Sequence, residues 1–194
     1  MSRAIHDSPV EVEGPRRADG IRNREKVIAA AEQVFAEQGI DAGIPEIATR
    51  AGVGKGTVYR NFETKEDLVA AILVLRLGKM EDDLTVALED PDPGQAMREV
   101  LKAAAVRTSA IGFPPGIVLS GEHAELEAIK SRLKKRMKSL FEAARNAGDV
   151  RPDATVDELF VLFGGVCRAL AESGDTSPKA WSRHTDLVVD AFRP

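Results

Sequence analysis

Apolar residues recur at intervals of three and four from about residue 21 onward, which is the spacing of one face of an α-helix. Gly39 and Gly148 each follow such a segment and predict helix ends, since glycine adopts the left-handed conformation that terminates many helices. Helix starts are predicted at Thr64-x-x-Asp67, Asp92-Pro93, Thr155-x-x-Glu158 and Ser177-Pro178, which combine a capping side chain with proline or an acidic residue. Because no segment alternates like a β-strand, the sequence predicts an all-α fold of about nine helices.

The composition is that of an ordinary globular protein, with 43% hydrophobic and 30% charged residues among 194. No stretch of about 18 apolar residues occurs, so we expect no membrane association and a cytoplasmic location. The single cysteine, Cys167, excludes an internal disulfide. The three histidines lie far apart without ligand spacing, so we expect neither a metal nor another cofactor. Residues 1–20, rich in proline, glycine and charge, are predicted to form a disordered arm.

The net charge of −4 gives no global sign of nucleic-acid binding. Its distribution is uneven, because residues 1–80 carry 12 basic and 12 acidic side chains, whereas residues 81–194 carry 15 and 19. The acidic excess therefore belongs to the C-terminal part. A basic run at residues 130–138 accompanies an apolar helix face, so we favour a solvated helix surface over a second DNA surface there.

Residues 45–62 have the pattern of two short helices joined by a tight turn. Gly52 can adopt a positive φ at that turn, and Ala48 is small where the two helices must approach closely. Val53 and Val58 are the apolar residues placed to pack between them. This pattern predicts a helix-turn-helix, whose second helix enters the major groove of DNA.

The second helix of this motif is chemically suited to that role. Lys55 and Arg60 are its only charged residues, and both are cations. Gly56 would let the backbone approach a phosphate, while Thr57 and Asn61 can hydrogen-bond phosphates or base edges. No residue set has the spacing of a catalytic nucleophile and its base, so enzymatic activity is not expected.

Residues 27–39, 46–53 and 55–62, followed in register by residues 64–68, together resemble the DNA-binding domain of the tetracycline-repressor (TetR) family. The resemblance implies a three-helix DNA-binding domain at residues 21–79, containing the helix-turn-helix at residues 43–62. A helical ligand-binding and dimerisation domain would follow at residues 80–194. The DNA-contacting positions implied by the resemblance are Arg22, Arg24, Gly43, Lys55, Gly56, Thr57, Tyr59, Arg60, Asn61 and Lys65.

The resemblance implies particular roles for these residues, and this sequence departs from the common family pattern at Gly43 and Gly54. Arg22 and Arg24 would form an arm near the DNA backbone or minor groove, and Lys65 would reach a phosphate from the start of the next helix. Gly43 and Gly54 stand where many members have serine or threonine. Whether the missing hydroxyl groups weaken DNA binding stays open, because glycine also caps helices and exposes backbone N–H groups.

The next-to-last helix is apolar around most of its circumference, which indicates burial on two sides. One side can face the chain's own core and the other a second subunit, so we expect a homodimer through the last two helices. A purely intramolecular core is the alternative. The predicted interface residues are Leu159, Leu162, Val166, Leu187, Val188 and Phe192.

The function implied is a sequence-specific regulator that acts as a dimer on near-palindromic operator DNA, with repression favoured over activation. The alternative is a helical ligand- or protein-binding module that has lost DNA binding. The effector would be an apolar or aromatic small molecule of unknown identity. Its predicted pocket residues are Met97, Leu101, Phe113, Leu119, His123, Phe163, Cys167 and Trp181.

Overall fold

The computed structural model describes residues 15–110, 119 and 122–194. Within these ranges the chain forms helices and no strand, so the predicted all-α class is confirmed, with eight helices described where about nine were expected. The helices are α1 (Pro15–Gln38), α2 (Ile44–Ala51), α3 (Lys55–Asn61), α4 (Lys65–Ala87), α5 (Pro93–Ser109), α6 (Ala124–Ala147), α7 (Val156–Glu172) and α8 (Pro178–Asp190).

The N-terminal end of α1 corrects one expectation. The predicted disordered arm covered residues 1–20, but α1 begins at Pro15, so residues 15–20 are helical. Proline is well suited to a first helical position, because its φ is already fixed near the helical value and the N–H that it lacks would have no partner there. Residues 1–14 lie outside the described part of the chain, as do residues 111–118, where the sequence predicts a break after α5.

Most helix boundaries lie where the capping chemistry predicts. Thr64 and Thr155 each start a helix with a capping box, in which the threonine oxygen accepts the N–H three residues on and the acidic side chain there accepts the threonine N–H. Asp92 accepts the Gln95 N–H at 2.9 Å at the start of α5. Gly148 ends α6 in the left-handed conformation, with φ of 89°. Local side chains therefore determine where these helices start and stop.

The helices enclose two principal hydrophobic cores that share α4. The first packs α1, α2 and α3 against the N-terminal half of α4, and this unit is called the N-terminal head. The second packs the rest of α4 with α5 to α8 and is called the C-terminal domain. Leu68 and Ile72 of α4 are buried in the first core, and Leu84 and Ala87 in the second. The domain boundary predicted at residue 79 thus falls inside one continuous helix.

The C-terminal domain is built from α4 against α6 and α5 against α8. Phe141 of α6 meets Phe192, just beyond α8, edge to face with ring centroids 6.0 Å apart. Arg132 of α6 forms a bidentate ion pair with Glu81 of α4. In the described part of the chain, no helix is long and apolar enough to cross a bilayer.

The basic run on α6 is a solvated, ion-paired surface, as predicted. Lys134 lies 3.1 Å from Asp157, and Arg136 joins Arg132 at Glu81. The opposite face of the helix is buried, including Leu133 and Leu140. Several of these cations are therefore engaged by carboxylates within the protein.

Candidate nucleic-acid interface

The turn between α2 and α3 has the geometry predicted for a helix-turn-helix. Gly52 adopts φ 66° and ψ 33°, the left-handed region in which a side chain would be strained. The Val53 N–H donates to the Ala48 carbonyl at 3.1 Å and closes the turn. Ala48 and Val58 are buried between the two helices. The packing therefore fixes α3 against the head and leaves its opposite face outward.

The outward face of α3 carries positive charge and an open backbone. Lys55, Gly56, Tyr59 and Arg60 are exposed, with Tyr59 at 53%. The helix contains no acidic residue. A Cβ built on Gly56 would meet no atom within 4 Å apart from its chain neighbours and its own helix backbone, so no packing contact requires glycine there. A ligand that comes close to the helix backbone gives a physical reason for it.

Two of the predicted DNA-contacting side chains are hydrogen-bonded along α3 itself. The Arg60 guanidinium donates to the Thr57 hydroxyl at 3.0 Å, which holds its fork over the exposed surface. The Asn61 amide donates to the Thr57 carbonyl at 2.8 Å and is partly buried. Arg60 is thus preorganised on the surface, whereas Asn61 would have to release its bond to contact DNA.

The three flanking cations lie on helices, and two of them lie over aromatic rings. The Lys65 ammonium is 5.7 Å from the centroid of Phe35, and the Arg24 guanidinium is 4.9 Å from that of Phe62. Arg22 pairs with Asp19 one turn earlier. Arg22 and Arg24 lie within α1, so the predicted arm is helical at these two positions, and its approach to DNA stays a prediction. The positions of Arg24 and Lys65 are thus set by their packing on the aromatic rings of the head.

Helices α2 and α3 both begin without a side-chain cap. Gly43 and Gly54 occupy the two N-cap positions with extended backbones, and neither start has a capping hydrogen bond from a side chain. At Gly43 a Cβ would come within 2.7 Å of a Glu46 carboxyl oxygen, a flexible side chain that could move. With glycine in place of serine or threonine, both helices therefore lack the side-chain hydrogen bond that a hydroxyl group would supply at the N-cap.

The predicted effector residues are distributed over several sites. Met97 and Leu101 are buried in the main core of the C-terminal domain, whereas Cys167 and Trp181 form a separate small cluster with Ala105. Phe163 packs against both groups. Burial raises the pKa of the Cys167 thiol to about 12, so this thiol stays protonated and behaves as an apolar group.

The remaining predicted effector residues lie near the junction of the two cores. Leu119 packs against both cores, and His123 Nδ1 lies 3.6 Å from Asp67 Oδ1 at the start of α4. Phe113 lies outside the described residues. The described members of this set therefore belong to different packing clusters, because apolar periodicity selects core residues whether or not they face a pocket, and the pocket stays a prediction.

A cavity of about 320 Å³ lies where the start of α5 meets the ends of α6 and α8. Asp92, Arg98 and Asp149 make its wall largely polar, and of the predicted effector residues Met97 is the one in its lining. This polar cavity does not match the apolar pocket that the sequence predicts. Among the residues that the structure describes, no three His, Cys, Asp or Glu side chains lie together as metal ligands would.

The predicted dimer residues divide into buried and exposed sets. Leu159, Val188 and Phe192 are buried in the chain's own core, so they cannot offer a free surface to a second subunit, which corrects that part of the prediction. Leu162 and Leu187 are 45% and 52% exposed. Val166 is half-buried.

Val161 of α7 is the most exposed large hydrophobic residue on this side, at 72%, and was not among the predicted interface residues. The sequence does contain a sign of this face, because Val161, Leu162, Gly165 and Ala169 recur at helical spacing. All four face outward or lie near the surface of α7. The exposed apolar surface of Val161, Leu162 and Leu187 is called the α7–α8 face below.

A cationic recognition helix on a three-helix head, joined by a long helix to a larger helical domain, defines a helix-turn-helix DNA-binding regulator. Comparison with known proteins agrees. Residues 27–72 match the bacterial regulatory proteins of the tetR family, and residues 92–194 match the SbtR-like C-terminal domain of transcriptional regulators.

Solved structures and curated proteins give the same result. The TetR transcriptional regulator SCO0520 from Streptomyces coelicolor is 31% identical, with 88% of this chain and 98% of that chain covered and a TM-score of 0.61. A TetR regulatory protein from Mycobacterium vanbaalenii is also 31% identical, covering 93% and 100%, with a TM-score of 0.56. The repressor BepR of Brucella suis is 33% identical over 91 residues, which are 45% of this chain and 44% of that protein.

The chain spans between 32% and 52% of the length of three curated relatives that it matches. The two structural relatives extend the similarity over nearly their whole length. This protein therefore belongs to the tetR family of DNA-binding transcriptional regulators.

Proposed function

We propose that this regulator is a ligand-responsive repressor that binds a near-palindromic operator as a homodimer. The observation that carries the proposal is the outward face of α3, where Lys55 and Arg60 surround the open backbone of Gly56. Positive charge attracts the phosphates, and an arginine fork can read guanine bidentately. A dimer would present two such helices to successive major grooves.

The repressor assignment is supported by the relatives. BepR and NicS of Pseudomonas putida are both described as transcriptional repressors, and NicS matches this chain over 79% of its length at 25% identity. FasR of Mycolicibacterium smegmatis, described as an activator, matches over 46%. The longer match therefore favours repression.

The dimer is supported by the α7–α8 face, whose apolar side chains are open on the isolated chain. A Cβ on Gly165 of α7 would meet nothing within 4 Å, so a partner helix could approach its backbone closely. For the effector we propose an apolar or aromatic small molecule bound inside the C-terminal domain, where Phe163, Cys167 and Trp181 provide apolar surface.

The test is a fluorescence anisotropy titration of the protein with duplex DNA from its own upstream region at several salt concentrations. Lys55→Ala should weaken binding to all duplexes alike and lower the slope of log K against log salt by about one, as for loss of one phosphate contact. Arg60→Ala should cost about 1–3 kcal/mol on the preferred duplex and relax its sequence preference.

Lys135→Ala is the matched control, since Lys135 is an exposed lysine on the α6 basic run. It should leave both the affinity and the salt slope unchanged. Equal affinities for the wild type, Lys55→Ala and Arg60→Ala would remove α3 from the DNA contact. No binding by the wild type even at low salt would favour a helical ligand- or protein-binding module instead.

A further inference from the structure

Arg76 of α4 makes polar contacts with both the N-terminal head and the C-terminal domain. Arg76 lies one helical turn beyond Ile72, the last α4 residue buried in the core of the head. Its Nε donates to a Glu32 carboxyl oxygen on α1 at 2.8 Å. Its Nη1 donates to the Arg107 carbonyl in the last turn of α5 at 3.1 Å. One planar guanidinium therefore contacts both the N-terminal head and the C-terminal domain.

This contact is well placed to be rigid. The Arg76 side chain is only 18% exposed, and Glu32 is 34% exposed. Carbonyl groups at a helix C-terminus have no partner within the helix and carry partial negative charge, so a guanidinium satisfies both requirements. Arg107 itself pairs with Asp83 on α4, which holds the end of α5 in place. The carbonyl that Arg76 reaches is thus anchored to the C-terminal domain.

Besides Arg76, the head contacts the C-terminal domain through the continuous helix α4, through apolar side chains and through His123. Leu73 and Leu119 pack against both cores, and His123 approaches Asp67 at 3.6 Å. Apolar contacts are non-directional and allow small rotations, whereas the two hydrogen bonds of a planar guanidinium specify an angle. Arg76 therefore provides a directional contact between the head that carries α3 and the C-terminal domain.

We propose that Arg76 is a specificity-determining positioning residue, which fixes the angle of each head and hence the operator half-site spacing that the dimer accepts. This inference rests on the proposed function as a DNA-binding dimer. Half-site spacing follows from the separation of the two recognition helices. One inserted base pair moves a half-site by about 3.4 Å along the duplex, so a head held at a fixed angle should reject it.

The test uses the full-length protein and a duplex selected for binding from random sequence. Its central spacer is lengthened or shortened by one base pair, and affinities are compared for wild type, Arg76→Gln and Arg76→Lys. The wild type should lose about tenfold or more on either altered spacer, an amount equal to about 1.4 kcal/mol. Arg76→Gln should lose less than about threefold, with Arg76→Lys between them, because an ammonium cannot hold both partners with a planar fork.

Arg132→Gln is the matched control. It removes an Arg–Glu pair of the same kind, but between α6 and α4 inside the C-terminal domain. It should keep the wild-type spacing profile. A duplex carrying one half-site should bind Arg76→Gln and the wild type within about twofold, since Arg76 does not lie in α3.

Glu32→Gln provides a second variant should Arg76→Gln fold poorly, because it weakens one bond and leaves the arginine in place. A flattened spacing profile with unchanged half-site affinity supports the inference. Profiles of Arg76→Gln and Glu32→Gln that match the wild type overturn it while leaving the proposed function intact. Failure of the wild type itself to bind, or to bind as a dimer, overturns the proposed function as well.

Discussion

Gly56 illustrates how much one residue of the recognition helix can reveal. Gly56 is the second residue of α3, and at a position whose backbone conformation alanine can also adopt, glycine lowers stability by about 0.4–1 kcal/mol. Gly56 has neither a positive φ nor a neighbour that would clash with a methyl group. The chain therefore keeps a residue that lowers its stability, at a position where the structure of the isolated protein gives no reason for it. Close approach of DNA to this exposed backbone would explain the glycine.

Gly56→Ala should consequently stabilise the fold and impair binding. We expect the free energy of unfolding to rise by about 0.5–1 kcal/mol. We also expect operator affinity to fall roughly tenfold, since the methyl group would keep the backbone from its phosphate or base. Urea denaturation and anisotropy titration measure the two effects separately.

Gly78→Ala is the control for this prediction. Gly78 lies inside α4, and a Cβ there also meets nothing within 4 Å. Its substitution should raise stability to a similar extent without changing DNA affinity. Wild-type affinity in Gly56→Ala would mean that the α3 backbone does not approach DNA closely.

At the scale of the helices, the sequence predicts a helix boundary correctly where the residues that set the boundary are close together in the chain. The capping boxes at Thr64 and Thr155 and the turn at Gly52 depend on residues within four positions of one another, so their patterns are readable in a linear sequence. The start of α1 was not predicted correctly, because the charged and glycine-containing composition of residues 15–20 suggested disorder where a proline begins a helix.

The capping box of α7 predicts a dependence of stability on pH. The Thr155 backbone N–H, followed by its hydroxyl group, holds the pKa of the Glu158 carboxyl below its usual value. A lowered pKa in the folded state means that the carboxylate stabilises the fold above its ordinary pKa of about 4.3. This stabilisation is lost as the pH falls through the folded-state pKa.

Glu158→Gln should therefore be less stable than the wild type at pH 7, and the difference should disappear near pH 3. Thermal unfolding followed by circular dichroism across this range provides the measurement. Glu172→Gln, at the other end of α7 and outside the capping box, is the control and should not lower the stability at pH 7. A constant difference between Glu158→Gln and the wild type down to pH 3 would contradict the role of the carboxylate charge.

At the scale of the whole molecule, sequence patterns could not assign contacts between distant segments. Arg76 lies 44 positions from Glu32 and 31 from Arg107, and a single arginine in an apolar stretch does not identify either partner. The α7 helix presents the same difficulty. Its all-round apolar pattern predicts two packed sides, but Leu159 and Leu162 have the same chemistry although one is buried and the other exposed. Only the packing of the folded chain separates them.

The α7–α8 face provides the last prediction, because its exposure has a matched counterpart elsewhere on the surface. Val161 on α7 and Val86 on α4 are 72% and 74% exposed, so lysine should be accommodated equally well at both positions in the isolated chain. If the α7–α8 face is the dimer interface, Val161→Lys loses apolar burial of roughly 1.5–3 kcal/mol per side chain and buries a charge, whereas Val86→Lys does neither. We therefore expect Val161→Lys to raise the dimer dissociation constant at least about tenfold and Val86→Lys to leave it unchanged. Sedimentation velocity over a range of concentrations measures both constants, and equal values for the two variants would place the dimer interface on another surface.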